Sequence, residues 1–351
     1  MRILSSRREW LAGAAAGALA QTAEPVRLPR KIRLGLIGTD GHYPEILGPL
    51  PRLPDVEFVA ISDNDGKGLA RFPAARPYVG YHEMLEKERL DVVGVCNTNG
   101  ERAAAVLACL ERNVHVAAEK PLAIRRADLE RIKKAAAGTV RLTMLLPMRY
   151  EPEYLAIKRV ADSGEIGEIG QIAAQKSYKI DRRPEWFRHR STYGGTLLWI
   201  GTHMVDLMRW SSGREFTEAV SFETHLGFPE IGEMDNVTGS LFRLDNGGIA
   251  SLRMDFLRPS SAPTHGDDRL RLAGTKGVVE YQEATGVTLI SNNHAPEVLG
   301  ELPARRSLFI EFLQSVYSGA APSLSLSDVI RVNEICLAAS ESADRRQIVK
   351  L

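Results

Sequence analysis

The sequence has few cysteines, little excess of charge of either sign and no cluster of basic residues interleaved with aromatic ones. Its three cysteines, Cys96, Cys109 and Cys336, show no spacing that suggests pairing, so we expect them to pack in the core. A formal net charge of +1 over 351 residues favours no polyanionic partner, and nucleic-acid binding is therefore not predicted. No metal site is predicted either.

The chain also lacks an apolar run long enough to cross a bilayer. Its N-terminus contains SRREWL at 6–11 and then AGAAAGALA at 12–20, which resembles a twin-arginine export signal with small residues Ala18 and Ala20 at the cleavage site. Residues 1–30 are interpreted as signal peptide and linker, and the alternative is an Ala-rich leader with no export role. The signal predicts a periplasmic or extracellular protein without a membrane anchor.

What the sequence does contain is enough apolar material for two globular domains, at 44% hydrophobic and 25% charged residues. In residues 31–147, short apolar runs alternate with helical segments, a pattern typical of a doubly wound parallel sheet with helices on both faces. Residues 148–351 contain alternating strands around a turn at 245–248, which predicts an open, mostly antiparallel sheet. The predicted fold class is α/β.

A glycine-containing turn, within GLIGTDGHY, follows the first predicted strand. Such a turn can bring backbone N–H groups against pyrophosphate, and its candidate cofactor-binding residues are Gly38, Thr39, Asp40 and Gly41. The pattern G-x-G-x-x-G would place glycine at Asp40 and Tyr43, and neither is glycine. Because Asp40 is also a good helix N-cap, the turn alone leaves two interpretations open: a cofactor site or a capped helix.

Polar residues follow other predicted strands of the same sheet. Asp63, Asn97 and Glu119 each come directly after a buried apolar run. Since the carboxyl ends of parallel strands form one crevice, we expect these side chains to line it. Asp63 is suited to bind the ribose hydroxyls of NAD and to repel the extra phosphate of NADP, although an aspartate there is also a common turn residue.

The stretch HVAAEKPLA at 115–123 resembles the Gfo/Idh/MocA family of oxidoreductases, in which a Glu-Lys-Pro motif follows the fifth strand. The resemblance covers nearly all of the chain after the leader and implies a Rossmann dinucleotide-binding domain at 31–147. It also implies that Lys120 points between nicotinamide and substrate, and that the bond between Lys120 and Pro121 is cis. Without the resemblance, Lys120 would be interpreted as an exposed loop lysine.

The resemblance continues into a second domain at 148–351, which binds substrate in the family. Within YGGTLLWIGTHMVDLMRWSSG it implies that His203 is the general acid and base, with Asp206 on nearly the same helical face. MRYEPEY is similar to the crossover between the domains and adds Arg149 and Tyr150 to the substrate-side candidates. The alternative for His203 is a structural residue, which is the commoner fate of a histidine on a helix.

Several positions depart from the family's pattern. Trp199 stands where family dehydrogenases usually have an aspartate, and Asn97-Thr98-Asn99 stands where a Thr-Pro-Asn turn is usual, with Arg102 in place of a common histidine. Trp199 cannot carry a proton, but its ring could stack on the C–H face of a sugar. Asn97 and Asn99 remain candidates for the nicotinamide side.

The favoured function is oxidation or reduction of a sugar, cyclitol or related polyol. In it, His203 removes a hydroxyl proton while hydride leaves the same carbon for NAD, and Lys120 holds the oxygen. Export favours a cofactor that stays bound and is recycled. The alternatives are an NAD-dependent glycosidase or epimerase that uses transient oxidation, and a redox-inactive sugar-binding protein. The resemblance also implies homo-oligomers that pair through the C-terminal sheet.

Overall fold

A computed structural model of the chain describes residues 24–64, 66, 69–138 and 140–351. The paired arginines and the Ala-rich run of the predicted export signal lie outside the described residues, so the signal stays a prediction. The three cysteines are free and buried, as the sequence predicts.

The first sheet has six strands, all parallel, in the spatial order 3-2-1-4-5-6. Its central strands are apolar runs buried on both faces, because helices cover the sheet on either side. The strands are β1 Ile32–Ile37, β2 Val56–Ser62, β3 Arg76–Tyr78, β4 Val92–Val95, β5 His115–Ala118 and β6 Leu142–Met144. This order is that of a dinucleotide-binding Rossmann fold, and its ligand crevice lies at the carboxyl ends of β1 and β4.

Ten helices accompany the two sheets in the described part of the chain. Those of the first sheet are α1 Pro44–Leu47, α2 Tyr81–Lys87, α3 Asn99–Leu110 and α4 Arg126–Ala135. Those that follow are α5 Pro152–Asp162, α6 Arg190–Tyr193, α7 Thr196–Trp199, α8 Gly201–Ser212, α9 Leu308–Tyr317 and α10 Leu326–Arg345. A helix both long and apolar enough to cross a membrane is not found among the described residues.

The second sheet has nine strands, and all its pairings are antiparallel except that of β10 with β7. The strands are β7 Ile169–Tyr178, β8 Phe216–Thr224, β9 Val237–Leu244, β10 Ile249–Asp255, β11 Gly266–Gly274, β12 Gly277–Gln282, β13 Gly286–Ser291, β14 Glu297–Val298 and β15 Val349–Lys350. One face packs on α8 and α10, while the other is open. The predicted hairpin at 245–248 joins β9 to β10, and the predicted α/β fold class is confirmed.

The last long helix ties the second half of the chain to the first. Ser325 and Asp328 form a capping box at the N-terminus of α10, which fixes where this helix begins. Farther along α10, the buried Asn333 side chain accepts from the backbone N–H of Ala123 over 3.1 Å and donates to its carbonyl over 3.0 Å. The loop after β5 is therefore held by a residue 210 positions later in the chain.

Candidate functional site

Two glycines in the left-handed conformation shape the turn after β1. Gly38 has φ +74°, and a Cβ there would lie 2.5 Å from the carbonyl oxygen of Cys96, just after β4. Gly41 has φ +63°, and a Cβ there would lie 2.5 Å from Oε1 of Glu119, just after β5. These close approaches require glycine, so the turn rests directly on the carboxyl ends of β4 and β5.

The helix after this turn begins later than the sequence predicts. Helix α1 begins at Pro44, its N-cap is Tyr43, and that cap makes no side-chain hydrogen bond. The alternative in which Asp40 caps this helix is therefore wrong, because Pro44 sets the first helical turn and Asp40 lies before it. The Asp40 N–H instead donates to Cys96 O over 2.8 Å, and the side chains of Thr39 and Asp40 remain partly exposed at the crevice.

The crevice contains groups that fit a dinucleotide. Asp63 directly follows β2 and is partly exposed. The side-chain oxygen and nitrogen of Asn97, after β4, are both buried, and neither has a hydrogen-bond partner among the described residues. A buried carboxamide that lacks partners is costly unless a ligand satisfies it. Together with the Gly38 turn, Asn97 therefore fits a nicotinamide cofactor.

Asn99, also predicted at the nicotinamide side, is used elsewhere. Its Nδ2 donates to Tyr193 O over 2.8 Å, and its Oδ1 accepts from Arg102 over 2.7 Å. The fully buried Arg102 guanidinium also donates to the carbonyl oxygens of Asn97, Lys120 and Pro121. The structure thus corrects the prediction for Asn99: with Arg102, it holds the loop that carries the motif, and does not face the crevice. The bond between Lys120 and Pro121 is cis, as expected.

Lys120 is buried against Trp199. Its Nζ donates to the Trp199 carbonyl oxygen over 2.6 Å, lies 3.1 Å from the centroid of the same indole ring, and is 3.6 Å from Oε1 of Glu119. Burial lowers the pKa of Lys120 to about 7, although Glu119 opposes that shift. The Trp199 ring also packs edge-on against Trp186 and Phe187, so it covers Lys120 and is not among the residues that line the cavity described below.

Glu119 joins Lys120 to a histidine that sequence analysis missed. Nδ1 of His42 lies 3.0 Å from both carboxylate oxygens of Glu119, and the backbone N–H of His42 donates to Oε2 over 3.3 Å. Burial opposes the ionisation of Glu119, but His42 and Lys120 beside it hold the pKa of its carboxyl at about 2. Glu119 is therefore an anion, and its carboxylate lies close to both His42 and Lys120.

His203, near the start of α8, lies on the other side of His42. The two imidazole rings meet edge to face with their centroids 4.9 Å apart. His203 is 3% exposed, and its Nδ1 has no hydrogen-bond partner in the described structure. Burial, and then the positive charge of Lys120, lower the pKa of His203 well below its ordinary value. Its ring is therefore neutral at physiological pH and able to accept a proton.

Both histidines line a cavity of about 300 Å³ between the two sheets. The remaining lining comes from residues 148–283: Met148, Glu151, Glu153, Tyr154, Lys176, Tyr178, Gly266, Asp268, Tyr281 and Glu283. Lys176 is buried, and its Nζ donates to Asp268 over 2.7 Å. Burial raises the pKa of Glu151 to about 7, with Arg305 opposing the shift. Carboxyl groups and phenols thus dominate the lining.

Besides Trp199, three further predicted substrate residues do not reach this cavity. Arg149 and Asp206 form a buried ion pair, in which Arg149 Nε donates to Asp206 over 2.9 Å and Arg149 also donates to Ser323 O over 2.8 Å. Tyr150 is 3% exposed, and burial raises its pKa. The prediction that these side chains contact substrate is corrected, since packing and ion pairing already use them.

Comparison with known proteins identifies the family. Residues 32–145 match the NAD-binding Rossmann fold of the GFO/IDH/MocA oxidoreductase family, and residues 154–280 match the family's C-terminal domain. A solved structure of a Thermotoga maritima protein classed as an oxidoreductase is 31% identical, with TM-score 0.86 over 91% of this chain and 100% of that one. The chain belongs to the Gfo/Idh/MocA family. The predicted oxidoreductase class is thereby confirmed.

Two further similar proteins have names that specify an activity. Myo-inositol 2-dehydrogenase of Thermotoga maritima is 24% identical over 337 residues, which cover 91% of this chain and 98% of the relative. The structure of levoglucosan dehydrogenase in complex with NADH and levoglucosan is 18% identical, with TM-score 0.80 over 92% of this chain and 99% of that one, which shows a shared fold.

Within this family site, the sequence signal for His42 was available but ambiguous. His42 follows Gly41 in a turn that lacks two of the glycines of the dinucleotide-binding pattern, and that pattern assigns no role to a histidine there. Its partner Glu119 is 77 residues away, and only the stacking of the turn on β5 brings the two together.

In the described part of the chain, no group of three or more histidine, cysteine or acidic side chains is arranged to hold a metal ion.

Proposed function

We propose that this chain transfers hydride between a bound nicotinamide and a CH–OH carbon of an uncharged sugar, cyclitol or related polyol. The observation that carries the proposal is the cavity in which His203, with an unpartnered nitrogen, meets the carboxylates of the second domain close to the Gly38 turn. The myo-inositol dehydrogenase and the NADH complex of levoglucosan dehydrogenase support the same substrate class.

The charge of the cavity lining supports an uncharged substrate. Four carboxyl groups, those of Glu151, Glu153, Asp268 and Glu283, can accept hydrogen bonds from hydroxyl groups. Lys176 is the cation of the described lining, and Asp268 already binds it. A phosphorylated or acidic sugar would therefore face carboxylates with no available cation, at a cost in Coulomb energy and desolvation.

The proposed proton acceptor is His203. Its neutral ring accepts the hydroxyl proton as the carbonyl forms, and the bound nicotinamide supplies the hydride acceptor. Asn97 and the Gly38 turn would hold the cofactor's polar groups. One N–H of the Lys120 Nζ donates to the Trp199 carbonyl oxygen, and an ammonium has two further donors with which Lys120 could contact a substrate oxygen, as the family resemblance implies.

We also propose that the chain prefers NAD, keeps it tightly bound and acts outside the cytoplasm. The preference follows from Asp63, whose carboxylate would repel a 2′-phosphate. Tight binding follows from the interpretation of residues 1–30 as an export signal, because an exported enzyme has no soluble cofactor pool on which to depend.

The cofactor is tested first, by mass spectrometry of the supernatant after purified protein is denatured. We expect NAD or NADH in near-stoichiometric amount. Calorimetric titration of stripped protein should then show weaker binding of NADP than of NAD, and Asp63→Ser should narrow that difference. Equal affinities in the unaltered protein would contradict the role of Asp63.

The reaction is tested by absorbance of the bound nicotinamide in single turnovers over a panel of inositols, sugars and aryl glycosides. His203→Ala should reduce turnover by about 10²-fold or more with little change in NAD affinity, since a general base acts mainly in the transition state. His294→Ala, at an exposed histidine, is the control and should match wild type. A cofactor-loaded protein that binds a sugar without any redox change would favour the redox-inactive alternative.

A further inference from the structure

His42 is the more exposed of two histidines in contact at the cavity. Its side chain is 32% exposed, whereas His203 beside it is 3% exposed. Both line the cavity, and their rings touch edge to face. His42 therefore lies between the buried histidine and solvent.

Glu119 fixes which nitrogen of His42 is free. The carboxylate is ionised and can only accept hydrogen bonds, so the proton of His42 resides on Nδ1, which lies 3.0 Å from both carboxylate oxygens. The lone pair is then on Nε2, away from Glu119. Gly41 makes this arrangement possible, since any Cβ at that position would collide with Oε1 of Glu119 at 2.5 Å.

His203 needs a way to release a proton. The charged groups around the two rings are Glu119, Lys120, Lys176 and the four carboxyl groups of the cavity lining. The carboxylate of Asp206, on the helix of His203, is bound to Arg149. The imidazolium of His203 would thus have two lysines nearby and, in the described structure, no carboxylate as a hydrogen-bond partner of its own.

We propose that His42, held by Glu119, is a relay that carries the substrate's hydroxyl proton from His203 to solvent. The proposal rests on the proposed function, because it assigns the next acceptor after His203. The O–H bond breaks and its proton moves to His203, the C–H electron pair leaves as hydride that the nicotinamide of the proposed function would accept, and a C=O bond forms. The proton then moves from His203 to Nε2 of His42, directly or through one water, and on to bulk water.

The relay predicts a kinetic defect that imidazole repairs. His42→Gln should lower kcat by about 10-fold or more, with a smaller change in KM, because proton release becomes slow after substrate has bound. Added imidazole at pH 7 should restore a large part of kcat. The solvent deuterium isotope effect on kcat should rise in the variant. His294→Gln is the matched control, and neither its kcat nor its response to imidazole should differ from wild type.

A second readout does not depend on turnover. Long-range ¹H–¹⁵N correlation spectra should show His42 as the Nδ1–H tautomer in the unaltered protein, and Glu119→Gln should abolish that strong preference. An Nε2–H tautomer for His42 in the unaltered protein would overturn the relay. So would an active wild type whose His42→Gln variant keeps its kcat within about 2-fold. A cofactor-loaded wild type inactive on every substrate would overturn the proposed function, and the relay with it.

Discussion

The amino group of Lys120 is buried against the indole ring and the carbonyl oxygen of Trp199 and is not hydrated like an exposed lysine. Burial lowers its pKa to about 7, against about 10.4 in an unfolded chain. Below pH 7 the folded protein therefore bears the full cost of a buried ammonium. As pH rises from about 7 towards 10, the folded protein loses that proton while the unfolded chain keeps it, so this cost declines.

Lys120→Met should accordingly stabilise the protein more at acid than at alkaline pH. We expect the difference in free energy of unfolding between variant and wild type to be larger at pH 6 than at pH 10 by about 1 kcal/mol or more. Urea denaturation at both pH values measures it. The exposed Lys276→Met variant is the control and should show no such dependence. A difference that is independent of pH would mean that Lys120 keeps an ordinary pKa.

At the scale of elements, the ion pair of Arg149 with Asp206 joins the turn before α5 to helix α8. Both side chains are about 1% exposed, so each charge depends on the other. Asp206→Ala should cost about 3–5 kcal/mol of stability, because it leaves a buried guanidinium without its anion.

The matched comparison for that pair removes both charges at once. The double variant Arg149→Met, Asp206→Leu should be more stable than Asp206→Ala, since no unpaired charge remains in the core. Urea denaturation of the three proteins measures the order. A double variant less stable than Asp206→Ala would contradict this prediction, because it would show that an unpaired buried guanidinium is not the main cost of losing Asp206.

Local sequence patterns predict the elements well where one rule operates alone. The second strand, VEFVAIS, is found as predicted at Val56–Ser62, and the hairpin at 245–248 joins the expected strands. The start of the first helix stays open in the sequence because two helix-start signals compete: Asp40 is a good cap, but Pro44 fits the first helical position better. Short-range rules cannot rank such signals without the packing of Gly38 on β4.

Of the site, sequence motifs locate the chain segments but not all the contacts. Lys120 and His203 come from recognisable motifs, and the structure brings Lys120, Glu119, His42 and His203 into one cluster. The pairing of His42 with Glu119, and the use of Arg149 on Asp206, depend on contacts 77 and 57 residues apart in the chain. Those contacts arise from the fold, which spacing alone does not encode.

At the scale of the whole molecule, the open face of the nine-stranded sheet is the surface that we expect to bind a second copy of the chain. It contains a hollow of about 610 Å³ and exposed apolar side chains, with Phe222 at 68% and Leu241 at 51% exposure. Such patches on soluble proteins commonly mark interfaces. Phe222→Glu with Leu241→Lys should convert the oligomer to monomers, as measured by light scattering. A monomeric wild type would contradict this expectation.

Export is the other property of the whole chain that can be tested. Replacing both arginines of the pair, Arg7→Lys and Arg8→Lys, should leave a precursor in the cytoplasm that retains residues 1–20, since twin-arginine signals depend on that pair. Fractionation and N-terminal sequencing measure the outcome. Mature protein recovered from the periplasm in unchanged amount would show that the paired arginines are not the signal.

The bond between Asn333 and Ala123 has a consequence for the timing of synthesis. Strands β1 to β6 emerge from the ribosome before residue 145, and a domain can fold as it emerges. The loop that follows Lys120, however, gains its hydrogen bonds with Asn333 of the last long helix only when nearly the entire polypeptide has been made. Nascent chains released without α10 should therefore collapse around the first sheet yet lack a properly set Glu-Lys-Pro loop, so catalytic competence arrives only at the end of translation.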